Sequence, residues 1–160
     1  MGKRIKRLAS FPGFWLRGLI CGLAGGFILG LFLRLVEQNT GHQVYRLLLN
    51  VDFISFLPPH MPEWIEFALH MVVSLIIGLL YSSWVMSSIK PRPLLSGLIL
   101  GLLSSLLYFP LADLSDRVPS PSDMTAFAWW LTGHLLFGFT LFGVDQMLNP
   151  LYRMAQSKRA

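Results

Sequence analysis

Four stretches of this chain, residues 14–36, 63–86, 94–111 and 125–148, are almost free of charge and long enough to be helices of membrane-crossing length. About 20 apolar residues of helix cross a hydrocarbon core, so the third stretch is the marginal one. It is short and reaches Pro110, so it is expected to end near there and run into the interface. In a bilayer every backbone N–H and C=O must be satisfied within its own segment, which leaves helices as the form these stretches can take. The expectation is an all-α polytopic membrane protein, a four-helix transmembrane bundle in a single domain.

Composition agrees. Of 160 residues 54% are hydrophobic and 13% charged, against about 25% charged in a soluble domain. The formal charge of +5 would suit nucleic acid if it were gathered on one surface, but it is not. Ten of the thirteen Lys and Arg lie near the chain ends or in one short loop (Lys3, Arg4, Lys6, Arg7, Arg17, Lys90, Arg92, Arg153, Lys158 and Arg159). Seven of the eight acids lie in or beside the other two loops (Glu37, Asp52, Glu63, Glu66, Asp113, Asp116 and Asp123). The positive-inside rule predicts such segregation, so the partner is a lipid bilayer rather than nucleic acid. Both termini and the Lys90-Pro91-Arg92-Pro93 turn are then cytoplasmic, and compact loops favour a bacterial inner membrane. The basic start is interrupted by Arg17 and lacks a small-x-small site, so the first helix reads as uncleaved. Cys21 is the single cysteine, which leaves redox compartment open.

Within the first stretch Gly18, Gly22, Gly26 and Gly30 stand four residues apart, a glycine zipper on one helix face. Such a groove lets a second helix approach to backbone contact. Ser74, Gly78 and Ser82 in the second stretch, and Gly97, Gly101 and Ser105 in the third, extend the pattern. Gly133, Gly138 and Gly143 step by five, so they drift around the fourth helix. Gly18-Leu19-Ile20-Cys21-Gly22-Leu23 matches Gly97-Leu98-Ile99-Leu100-Gly101-Leu102 at five of six positions, which suggests a tandem repeat of two helical hairpins. Between the first two stretches, Val44, Leu47, Leu48 and Val51 recur at helical spacing, followed by Phe53, Ile54, Phe56 and Leu57. This segment is either a short interfacial helix lying on the outer leaflet or an apolar loop folded over the bundle.

The residues with chemical potential are few. His70 and His134 lie inside apolar helices, and an intramembrane ionisable group faces the bundle interior or a cavity. The repeat would set the two imidazoles at similar depth, where they could hold a haem or metal, relay a proton, or each bond to a nearby Ser or carbonyl. Glu66, one turn above His70, is near enough to pair with it, which would make an outward-facing, acid-sensitive site. Glu63, Asp113, Asp116, Arg34 and Glu37 stand around the outer mouth. Trp64, Trp129, Tyr81 and Trp84 fall near the interfaces as belt aromatics, whereas Trp130 is placed to help cover the groove. Asp145, the lone acid toward the inner side, is expected to pair with Arg17 or Arg153 in a structural role. The chain carries no phosphate-binding glycine loop, no Gly-x-Ser-x-Gly elbow and no His-Glu-x-x-His site.

The second half resembles the YagU-like family of bacterial inner-membrane proteins. The likeness runs through the His70 helix to Tyr81, then Gly97-Leu98-Ile99-Leu100-Gly101, Tyr108-Phe109-Pro110-Leu111 and Gly133-His134-Leu135-Leu136-Phe137-Gly138. It departs from the family in its short first outer loop and in Leu131-Thr132, where an acidic residue would stand. The resemblance implies a four-helix inner-membrane protein without established biochemical activity. The functional expectation is a non-enzymatic bundle without a cofactor, a homo-oligomer supporting the envelope or passing a small solute or ion. The alternatives are a histidine-based haem or metal redox protein and an outward-facing pH sensor.

Overall fold

The computed structural model describes residues 12–51, 61–87, 91–115 and 117–157. Among them the regular structure is helical: α1 (Pro12–Thr40), α2 (Val44–Leu49), α3 (Glu63–Ser87), α4 (Pro93–Ser105), α5 (Tyr108–Asp113) and α6 (Met124–Ser157). Four segments are long and apolar enough to cross a membrane, with α4 and α5 forming one of them together. At 1.5 Å per residue the 29 residues of α1 extend about 44 Å, so its ends project beyond a hydrocarbon core about 30 Å thick.

The helix that starts the described chain is also the central one. α1 packs along α3 on one side and α6 on the other, and α4 packs on α6. A lighter contact between α3 and α4 brings the ends of that row together. The faces follow from residue size. The four glycines of the zipper turn toward α3: Gly18 to Leu79, Gly22 to Ser74 and Leu75, Gly26 to Ser74 and Met71, Gly30 to Phe67; Gly25, between them, meets Phe137 of α6. A methyl on Gly22 would lie 2.6 Å from the Ser74 carbonyl oxygen, and one on Gly78 would strike the Gly18 carbonyl. The helices therefore meet backbone to backbone, which suits an apolar solvent where van der Waals packing rather than hydrophobic burial holds helices together. Gly97 and Gly101 stand against Gly138 and His134 of α6 in the same antiparallel manner. The five-residue step in α6 turns each glycine by about 140°. Gly133 accordingly meets Leu29 and Leu33 of α1, Gly138 meets α4, and none of the described residues packs on Gly143.

Between these seams the interior is filled by Leu33, Tyr81, Trp130, Phe137 and Leu141. Leu19, Leu23, Phe27, Leu31 and Leu35 of α1 and Val72, Val73, Ile76 and Leu80 of α3 are exposed, as lipid-facing surfaces are.

Three boundaries differ from those read in the sequence. The break in the third span falls at Leu106–Leu107, not at Pro110. Proline's ring clashes with the carbonyl four residues back, so Pro110 disrupts residue 106 while itself sitting in the first turn of α5, where a missing N–H costs nothing. Bonds from Leu106 to Leu103 (3.3 Å) and from Leu107 to Ser104 (3.2 Å) tighten the junction. α1 runs on to Thr40 and stops at Gly41, whose φ of +78° and bond to Glu37 (2.9 Å) make a left-handed glycine cap. α6 continues through Pro150 to Ser157.

In the segment after α1, Val44, Leu47 and Leu49 of the short helix α2 are buried against the bundle, and Asn50 donates to the Leu111 carbonyl (3.3 Å). Phe53, Ile54, Phe56, Leu57 and Asp116 lie outside the described residues.

Candidate functional site

The bundle has two distinct ends. One carries α2 and the 114–123 connection and is termed the loop end; the other carries the start of α1, the end of α3 and the start of α4.

At the loop end α6 begins on Asp123, whose Oδ1 accepts from the Thr125 (3.1 Å) and Ala126 (2.9 Å) N–H groups as an N-cap. His42 approaches its Oδ2 (3.4 Å), tying the α1–α2 turn to α6. Tyr108 donates toward the carbonyls of Ser120 (3.0 Å) and Asp123 (2.9 Å), and Glu37 accepts from the Arg46 N–H (2.9 Å). These bonds fix the connections against the helices and hold α2 beside the start of α3.

Between α1, α2 and α3 this arrangement leaves a half-open crevice of about 470 Å³, lined by Phe27, Gly30, Leu31, Arg34, Tyr45, Glu63, Trp64 and Phe67. At Gly30, which has no side chain, the Phe67 ring packs directly on the α1 backbone. Its wall is apolar and its rim is charged. Arg34 Nη1 lies 3.3 Å from Glu63 Oε1, the Tyr45 hydroxyl donates to the same oxygen (2.9 Å), and the Arg34 guanidinium stands 5.6 Å above the Tyr45 ring. Burial first, and then the bond to Glu63, pushes the Tyr45 hydroxyl up to about 12. Of the residues expected around the mouth, Arg34 and Glu63 thus come together, while Asp113 sits exposed at the end of α5 without a contact to them. Tyr45 is a rim residue that the sequence pattern does not single out. It belongs to an apolar-looking loop, and only its spacing one residue after Val44 on the short helix could have flagged it.

The two histidines are engaged separately. His70 Nε2 reaches the Gly26 carbonyl (3.2 Å) and Ser74 Oγ (3.4 Å), and its ring meets Phe67 with centroids 5.8 Å apart. These bonds run to α1 and to Ser74: the bare backbone at Gly26 offers a carbonyl across the seam. His134 Nδ1 bonds to the Trp130 carbonyl one turn back (2.9 Å), with the imidazole over the Trp130 ring at 4.4 Å. The two rings are not at matching positions. In the paired glycine registers His134 stands opposite Gly101 as Ser74 stands opposite Gly22, which puts His70 one turn away from the equivalent place. Among the described residues no group of three or more His, Cys, Asp and Glu is gathered as a metal-ligand set.

At the other end Asp145, with no exposure, pairs with Arg17 Nε. Cys21 and Tyr81, also fully buried, complete the cluster. Tyr81 is therefore not a belt aromatic: it follows Ser74 and Gly78 on the buried face of α3. Its hydroxyl and the second Asp145 oxygen make no hydrogen bond of normal geometry. Trp64 and Trp84 keep the expected exposure.

Comparison with protein-family models, curated proteins and solved structures gave no match.

Proposed function

We propose that this integral membrane protein acts by binding an amphiphile rather than by catalysis, through the crevice between α1, α2 and α3. The observation that carries the reading is the joining of a lipid-facing apolar wall (Phe27, Leu31, Phe67) to a polar rim of Arg34, Tyr45 and Glu63. Small-molecule sites have that make-up, largely apolar with a few polar groups that fix orientation. The acidic loop flanks and basic ends support an orientation with the crevice on the outer side of a bacterial inner membrane and both termini cytoplasmic.

The filled interior of one chain supports binding over permeation, for which a path would have to run between copies. Association of copies has one observation in its favour: Gly143 is uncovered, between exposed Phe139 and Met147 on α6. The haem and acid-sensor readings rest on His70 and His134, whose bonds run to backbone and Ser74. Native mass spectrometry of the purified protein tests the main reading. Wild type should carry lipid adducts that Leu31→Trp, which fills the crevice, loses. Identical adducts on both would sink it.

A further inference from the structure

The rim is more selective than an amphiphile site requires. Arg34 and Glu63 are each about half exposed, at 51% and 54% of their side-chain surface. Both Arg34 and Tyr45 reach one oxygen of Glu63, Oε1; among the described residues Oε2 and the remaining guanidinium N–H groups make no further bond. Trp64, 71% exposed at the same rim, marks the depth at which headgroups lie, because indole settles at the membrane interface. The crevice therefore offers one cationic donor array and one carboxylate acceptor side by side, at headgroup depth, above a slot of acyl-chain character.

Resting on the amphiphile reading, we propose that the crevice selects a zwitterionic phospholipid whose headgroup carries a primary ammonium, a phosphoethanolamine lipid. Phosphate takes the Arg34 fork and the ammonium takes Glu63 Oε2, so each protein charge keeps an opposite partner when the headgroup enters. An anionic headgroup without an amine brings its phosphate up to the Glu63 carboxylate and is repelled, which is discrimination by a misplaced charge. A choline headgroup has no N–H to give to Oε2. Its other means of recognition, an aromatic face, is closed at Tyr45 because the Arg34 guanidinium already occupies that ring.

The test uses the full-length protein, stripped of lipid and equilibrated with ethanolamine, choline or glycerol phospholipids of identical chains, retained lipid being counted by native mass spectrometry. Wild type should retain the ethanolamine lipid about tenfold over the other two, the discrimination of one well-placed polar contact. Glu63→Gln should abolish preference over choline and raise retention of the glycerol lipid; Arg34→Gln should lower retention of all three. Helical circular dichroism establishes that the variants fold. Equal retention of the three lipids by wild type, lost in Leu31→Trp, overturns headgroup selection and leaves the amphiphile reading standing. No retention above that of Leu31→Trp overturns both. A preference unchanged in Glu63→Gln places selection elsewhere and also overturns the proposal.

Discussion

A carboxylate with no solvent exposure, inside an apolar bundle, is tolerable only while its counter-charge stays in place, and Asp145 depends on Arg17 in this way. Removing one member of such a pair typically costs about 3–5 kcal/mol, because the survivor is left charged and unpaired. Asp145→Asn should therefore destabilise the protein by that order in SDS-titration unfolding. The double variant Arg17→Met/Asp145→Leu should lose less than Asp145→Asn alone. The Tyr81 hydroxyl, buried and lacking a bond of normal geometry, makes the opposite prediction: Tyr81→Phe should leave stability unchanged or raise it by up to about 1–3 kcal/mol. Tyr45 supplies a pH dependence. Its folded value of about 12 lies above the usual value near 10, so the neutral phenol is the form the fold favours. That contribution is complete below pH 10 and fades as pH rises through 12. Thermal melts of wild type should drop through this window by more than those of Tyr45→Phe. In the sequence, Asp145 is legible as a lone acid seeking a cation. Its complete burial is not, since that depends on α1 being flanked by α6, which no local pattern encodes.

At the scale of elements, glycines separate into those that set helix distance and those that do not. Gly78→Ala puts a methyl into the Gly18 and Gly22 backbones, which rigid helix axes cannot yield cheaply; overpacking of this kind costs about 1–3 kcal/mol. Gly143→Ala meets nothing and should be neutral or gain up to about 1 kcal/mol from helix propensity. The same unfolding titration checks both. Four-residue spacing makes the α1–α3 seam readable from the amino-acid order alone, because one face of a helix is a local property. The break in the third span lies one turn ahead of the proline that causes it, because a proline acts on the carbonyl four residues behind it. The crevice is hidden in the sequence for a different reason: it is assembled from three elements, and Tyr45 enters it through a loop whose fold is decided by burial of Val44, Leu47 and Leu49.

For the molecule as a whole, the alternation of four spans sets α2 and the 114–123 connection on one side and the turn before α4 on the other. In a Cys21→Ala background, Ser122→Cys should react with a membrane-impermeant maleimide in intact cells. Pro91→Cys should react only after the membrane is opened. Reversed reactivity would invert the proposed orientation and move the crevice to the inner side. The number of long apolar spans is legible in the sequence because it follows from length and hydropathy alone; the order α3–α1–α6–α4 around the row is not, because it lies in long-range pairings.

That order bears on how the protein is made. Arg17 and Asp145 are separated by 128 positions, nearly the whole described chain, so the first helix enters the bilayer long before its ionic partner leaves the ribosome. Until then the Arg17 guanidinium must reach for the interface along its own aliphatic stem, which its place near the start of α1 permits. A nascent chain halted before α6 would hold one helix that is electrostatically incomplete and, on its α6-facing side, unclad. Such a chain should be a preferred substrate for membrane quality-control proteolysis. Completion of the last helix is thus the event that seals the first.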